Sequence, residues 1–180
     1  MPDAAARIMA ATPRLQQPLA AEYQNWAQGV LDAGRATNDY RVVGTASSAV
    51  VKFIDSQSEL VPMYSAAVSL RDTELLHMAR DAKRRRGAAL SADELLNLPA
   101  LLANARATLW DTEDPALIYV LDVASSAAQK VVVRVNWTMR VHGEQGRQTM
   151  LANAVRTAGK VQVGDLKADR YKLIEGDLEK

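Results

Sequence analysis

The chain contains no cysteine. Disulfides, thiolate nucleophiles and cysteine-based zinc sites are therefore excluded, and a reducing compartment is compatible. Histidine is nearly as scarce. His77 and His142 are the two in 180 residues, far apart in sequence, and no HExxH, Walker loop or GxGxxG occurs. A transition-metal enzyme is not expected, nor any cofactor. No run of about eighteen apolar residues is present, so no membrane-spanning helix is expected. Residues 1–11 are alanine-rich, with Asp3 and Arg7, and lack the charged-then-apolar order of a signal peptide. A strong charge of either sign is missing too: 22 basic and 21 acidic side chains leave a net +1. Nothing global draws the chain to nucleic acid or to an anionic membrane, so a nucleic-acid role requires a local patch. The one dense basic run is Lys83-Arg84-Arg85-Arg86.

What is present is enough apolar material for one domain with a real core: 48% of the residues are hydrophobic. Residues 3–11 read as a short helix, punctuated by Pro13 and Pro18. From Leu19 to about Ala36, Leu19, Tyr23, Trp26, Ala27, Val30 and Leu31 recur at helical spacing. Tyr40 to Val43 reads as a short extended entry, Ser47 to Asp55 as a helix, and Ser65 to Leu70 as a strand. Ser91 with Glu94 three residues on makes a capping box for the next helix. After residue 107 the texture becomes β-rich. Strand candidates are 107–110, 116–122, 130–137, 149–157 (strand favoured over helix) and 171–175, with a turn at 111–115, a small-residue loop at 124–129 and a short helical link at 161–168. Strands following a helical half, joined by short links, point to an α+β fold: N-terminal helices on a twisted antiparallel sheet of about four to five strands. The expected division is a helical lead-in at 1–39, a compact domain at 40–176 and a tail at 177–180.

One helix stands out, 72–86. At roughly 100° per residue, Leu75, Met78, Ala79 and Ala82 share one side, and His77, Arg80 and Arg84 fall within a narrow arc on the other, flanked by Lys83 and Asp81. Asp72 or Thr73 is placed to cap it, and Gly87 to stop it. A histidine one turn from an arginine is a usable pair for phosphate chemistry. The imidazole moves a proton near neutral pH and the guanidinium holds a phosphate in two places. The plainer reading of the same spacing is a wet helix face with an incidental histidine.

The ordered series of segments carries more than any single motif. Arg41-Val-Val-Gly44 opens it; Val68-Ser-Leu-Arg-Asp72 leads into Leu76-His-Met-Ala-Arg-Asp-Ala-Lys83; Leu98-Pro-Ala-Leu-Leu102 precedes Ala107-Thr-Leu-Trp-Asp111; Leu117-Ile-Tyr119 precedes Lys130-Val-Val-Val133; Asn153-Ala-Val-Arg-Thr157 and Tyr171-Lys-Leu-Ile-Glu-Gly176 close it. From Tyr23 to Gly176 this resembles the phage nuclease domain grouped with barnase, EndoU, colicin tRNases and RelE, often found at the C-terminal end of Mu-like minor head (head-morphogenesis) proteins. The resemblance implies a phage or prophage origin, a place in the host bacterial cytoplasm or the virion, and a metal-independent endoribonuclease acting by 2′-hydroxyl transesterification. It places His77, Arg80 and Lys83 on the helix that bears the family's presumed active residues.

On that reading the substrate is RNA, tRNA or another structured single strand. His77 is general base or acid, Arg80 clamps the phosphate, and Lys83 or Arg84 adds positive field. Asn153 and Thr157 orient phosphate or sugar, Arg156 adds a contact from the same strand, and Tyr171 or Trp137 offers a stacking face to a base. Each has a structural alternative: solvated charges for Arg80 and Lys83, strand-edge polar groups for Asn153 and Thr157, packing for the aromatics. Two other roles fit the same resemblance. One is a non-catalytic module that contacts head proteins, a larger parent polypeptide or nucleic acid; the other is a toxin-type payload held by an acidic inhibitor.

Overall fold

The computed structural model describes residues 20–84 and 87–179. The helix expected at 3–11, and Arg85 and Arg86 of the basic run, lie outside the described residues, as does the side chain of Lys83.

The aromatic stripe of the first helix, α1 (20–33), sets its orientation. Tyr23 and Ala27, four residues apart, are fully buried, with Trp26, Val30 and Leu31 packed around them. The Tyr23 hydroxyl donates to the carbonyl of Leu95, and burial pushes its phenol well above the usual range. The chain continues through β1 (Tyr40–Thr45), α2 (Ser48–Ser56), β2 (Ala67–Arg71), α3 (Asp72–Arg84), α4 (Ala92–Leu96), α5 (Leu98–Ala103), β3 (Ala107–Asp111), β4 (Ala116–Ala124), β5 (Ala127–Gly143), β6 (Gly146–Gln162), a 3₁₀ turn (Val163–Lys167) and β7 (Tyr171–Gly176). Ser47 caps α2 by accepting from the Val50 amide, and the Ser91–Glu94 capping box forms in full at α4.

Among the described residues the strands make one seven-stranded sheet in the order β1-β2-β6-β5-β4-β3-β7. The α+β class is as the sequence pattern predicts, with more strands than the four to five expected. The difference has a local cause. β1 and β2 pair with each other, and they join the rest through a short parallel ladder, Val68 with Asn153 and Ser69 with Ala154. A two-residue pairing across 85 positions of sequence leaves no periodic trace. Every other neighbouring pair is antiparallel.

The helices cover one face of the sheet. Leu75 and Met78 of α3, Val50 and Ile54 of α2, and Leu95, Leu98 and Leu102 of α4 and α5 pack on Trp110, Leu117, Tyr119, Val131, Val133 and Val155. A second cluster on Leu109, Ile118 and Val120 is closed by Leu166 of the 3₁₀ turn, and a third gathers Met139, Val141, Ala152 and Ala154.

Two links are tighter than expected. The small-residue loop at 124–129 reduces to a turn at Ser125-Ser126, with Ser125 at φ 57°, and β5 returns to β6 through Glu144-Gln145 with Gly146 at φ 95°. The resulting β5–β6 hairpin has 17 residues in each strand. Its register shifts at Val132/Val133 and again at Arg134/Trp137, where Asn136 adopts φ 51°. Such bulges bend a hairpin and re-aim its side chains. Here they leave Val135-Asn136 and Arg156 outside regular pairing.

Candidate nucleic-acid interface

The first turn of α3 holds a buried carboxylate. Glu74 is 7% exposed, and it accepts from Nε and Nη2 of Arg71, at 3.0 and 2.8 Å, and from Arg156 of β6 at 2.8 Å. Two guanidiniums on one carboxylate leave a cationic cluster. The carboxylate in turn raises the affinity of Arg71 for its proton, chiefly through their hydrogen bond. The Arg156 guanidinium lies 4.7 Å from the Trp137 ring and that of Arg134 lies 5.9 Å from it. These are cation–π distances. Trp137 is 38% exposed.

The bulged loop beside this cluster is held rigidly. The Asn136 side chain accepts from the Tyr64 amide and donates to the Pro62 carbonyl, both at 2.9 Å. That contact presents Tyr64 and Val61, 81% and 74% exposed, near the bend of β5. Asn153 serves the same junction. It is 1% exposed, donates to the carbonyls of Ser65 and Ala67, and accepts from the Asn136 amide. Its amide is thus spent on backbone groups.

His77 lies one helical turn beyond Glu74, on the outer side of α3. Its side chain is 64% exposed, with Asp81 3.6 Å away, too far for a hydrogen bond. Arg80 and Arg84 are exposed along the same helix, and among the described residues neither makes an ion pair. Thr157 is exposed on β6 opposite Val132, which packs into the second cluster, away from α3. Tyr171 is further removed. It sits on β7, with β5, β4 and β3 between it and β6, and the Arg170 guanidinium lies 5.1 Å from its ring. His142 is exposed at the end of β5. Of the residues selected from sequence, the fold therefore brings Arg156 and Trp137 together and connects them, through Glu74, to the helix of His77 and Arg80. Asn153, Thr157 and Tyr171 point to other business.

One expectation about α3 needs correcting. Asp72 does not cap its own helix. Its carboxylate accepts from the backbone amides of Thr37 and Asp39, tying the segment after α1 to the start of α3. Trp137, expected as a stacking face for a base, has the Arg134 and Arg156 guanidiniums at its ring.

The charge of the β5–β6 hairpin was missed entirely at the level of short runs. Residues 127–162 carry six basic side chains, Lys130, Arg134, Arg140, Arg147, Arg156 and Lys160, against one acid, Glu144. In a chain whose net charge is +1, that is a concentrated cationic arm. Arg140 and Arg147 line a shallow concavity with Asn38 and Gln148 near its tip. The signal was available by summing charge over a predicted hairpin rather than searching for dense runs. Among the described residues no three His, Asp or Glu side chains gather as metal ligands do, and no helix is long and apolar enough to cross a membrane.

The chain is 25% identical over 158 residues to the putative capsid assembly protein F of Escherichia phage Mu, an alignment covering 86% of this chain and 32% of that protein. The chain thus spans about a third of the relative's length. No family model and no solved structure matches. The similarity supports a relation to phage head proteins, as the order of segments suggested.

Proposed function

We propose that this chain is a domain of a phage head-assembly protein that contacts nucleic acid through the backbone phosphates, without turnover, using the cationic β5–β6 arm. The carrying observation is the segregation of charge: six bases to one acid on one hairpin, with Arg134 and Arg156 braced on Trp137. The similarity to the Mu capsid assembly protein supports the setting. Phosphate contacts of this kind give affinity without sequence preference and weaken steeply with salt. The test is fluorescence anisotropy with single- and double-stranded DNA and RNA across a salt series. Arg140→Ala with Arg147→Ala removes two exposed charges that hold no buried partner; if each meets a phosphate, the slope of log K against log salt falls by ~1.8 on duplex DNA. Binding that is absent at low salt, or indifferent to the double substitution, overturns the assignment.

A ribonuclease is the second reading, and one observation favours it. Glu74 brings a carboxylate and two guanidiniums to within a turn of His77 on α3. Carboxylate, guanidinium and imidazole are the groups that acid–base transesterification uses. His77, Arg80 and Arg84 then act from the outer face of α3, with RNA supplying the other wall. RNA incubated with the protein in EDTA tests it: cleavage that disappears in His77→Ala supports the enzyme, and intact RNA of every kind leaves the binding module.

A further inference from the structure

The helical face of the sheet is curled enough that its two outermost strands approach the same space. Ser47, two residues beyond β1, donates to the Glu175 carboxylate of β7 at 2.7 Å. Between these edges lies a cavity of about 590 Å³, within the size range of small-molecule sites. Val42, Val43 and Gly44 of β1, Leu102 of α5 and Val68 of β2 supply apolar walls.

Three of its polar residues form a row. Glu175 pairs with Thr108, and Thr108 pairs with Tyr119, across β7, β3 and β4. Directly paired residues share a face with Cβ atoms about 5 Å apart, so the three side chains line up on the cavity side. Thr108 is 2% exposed. The Tyr119 hydroxyl is buried and has no hydrogen-bond partner among the described residues. A buried polar atom left unpaired costs free energy, and one facing a cavity is an unmet demand for a ligand atom. Burial first and the Glu175 charge second push its phenol well above the usual range, which keeps the hydroxyl neutral and places it within the field of that carboxylate.

We infer that this cavity binds an organic cation, a primary ammonium carried on an aliphatic stem. An ammonium has three donors and no acceptor. Glu175, Thr108 and Tyr119 offer three oxygens in a row, one of them charged. The apolar walls suit a methylene stem. Among the described residues Arg106 is the one cationic side chain on the lining, and its guanidinium donates to the carbonyls of Asp177 and Glu179. It is therefore not the partner of Glu175, and a phosphate or carboxylate ligand would meet Glu175 uncompensated. The site is thus separate in chemistry from the arginine-rich hairpin.

The experiment is methyl and amide NMR titration of the full chain with n-pentylammonium, n-pentanol and valerate. Saturable shifts at Val43, Val68, Leu102 and Thr108 are expected with the ammonium and not with the other two. Glu175→Gln should weaken binding by roughly tenfold or more and Tyr119→Phe by several-fold, the usual scale of a hydrogen bond to a charged group. Because Tyr119→Phe removes an unpaired hydroxyl, the free variant should melt no lower than the parent, which separates lost binding from lost fold. Nα-acetyl-lysine methylamide, run alongside, distinguishes a free amine from a lysine side chain of a partner; binding of either supports the site. Equal shifts with pentanol, no saturable shift with any amine, or full binding by Glu175→Gln overturns it.

Discussion

The two flanks of α3 differ in how much structure is invested in them. On one, Glu74 is buried between Arg71 and Arg156, and Arg156 lies against Trp137. On the other, His77 and Arg80 stand in solvent with Asp81 as the nearest counter-charge to the imidazole. The first flank joins β2, α3, β5 and β6; the second joins nothing among the described residues. Residues that look like chemistry in one dimension are cheap on a helix surface. A carboxylate withdrawn from water is retained only where hydrogen bonds replace the water it lost.

That contrast can be broken most directly at Glu74. Glu74→Ala leaves two guanidiniums facing each other without their carboxylate and should cost ~3 kcal/mol, the lower part of the range for breaking a buried pair because both arginines keep some solvent. Urea denaturation measures it; a loss under ~1 kcal/mol would place the cluster with ordinary surface ion pairs. Asn153→Ala comes next. It strips hydrogen bonds from the Ser65 and Ala67 carbonyls and should cost ~2 kcal/mol, whereas Thr157→Ala, four residues along the same strand, should stay within ~0.5 kcal/mol. Comparable losses at both would erase the distinction between a junction residue and a surface one.

A smaller, pH-limited effect is expected at Asp111. Burial pushes its carboxyl up, but hydrogen bonds from Arg170 and from the Asp114 and Glu113 amides outweigh that and hold it below the ordinary range. A folded-state value below the unfolded one, ~3.9 for aspartate, means the contribution is complete above ~pH 4 and is lost as the pH falls through the folded value. In Asp111→Asn that acid-side loss should be shallower, as followed by circular dichroism between neutral and acid pH; an unchanged profile would remove Asp111 as its source. The smallest effect belongs to the other flank. His77→Ala should shift stability by no more than ~0.5 kcal/mol in the same denaturation assay, and a larger loss would mean that the imidazole is not merely solvated.

Much of the fold was legible because its causes are local. The Ser91–Glu94 capping box spans three residues and forms as written. The α2 cap at Ser47, the strand at Ala116 and the last strand at Tyr171 also fall where residue preference and spacing put them. The 3₁₀ turn at Val163–Lys167 lies inside the stretch read as a helical link. The candidate interface was legible in part. Arg156 and Trp137 were selectable by type, and the helix of His77 by its periodicity. Their geometry was not, because Glu74 meets Arg156 across 82 positions and the bulges that turn β5 have no compositional mark beyond Asn136. By sequence Glu74 is an acidic residue in a first helical turn, suited to the helix dipole as any exposed glutamate there would be.

By itself, the order of residues determined which segments are helix and which are strand, since propensity, capping and apolar period act over a few neighbours. It also set the total charge and the absence of thiol chemistry. Tertiary structure alone decided which polar side chains were withdrawn from water, which ones face each other, and that the two outermost strands of one sheet share a cavity. Those outcomes depend on strand register and sheet curvature, quantities set by packing across the whole domain and carried by no short stretch of it.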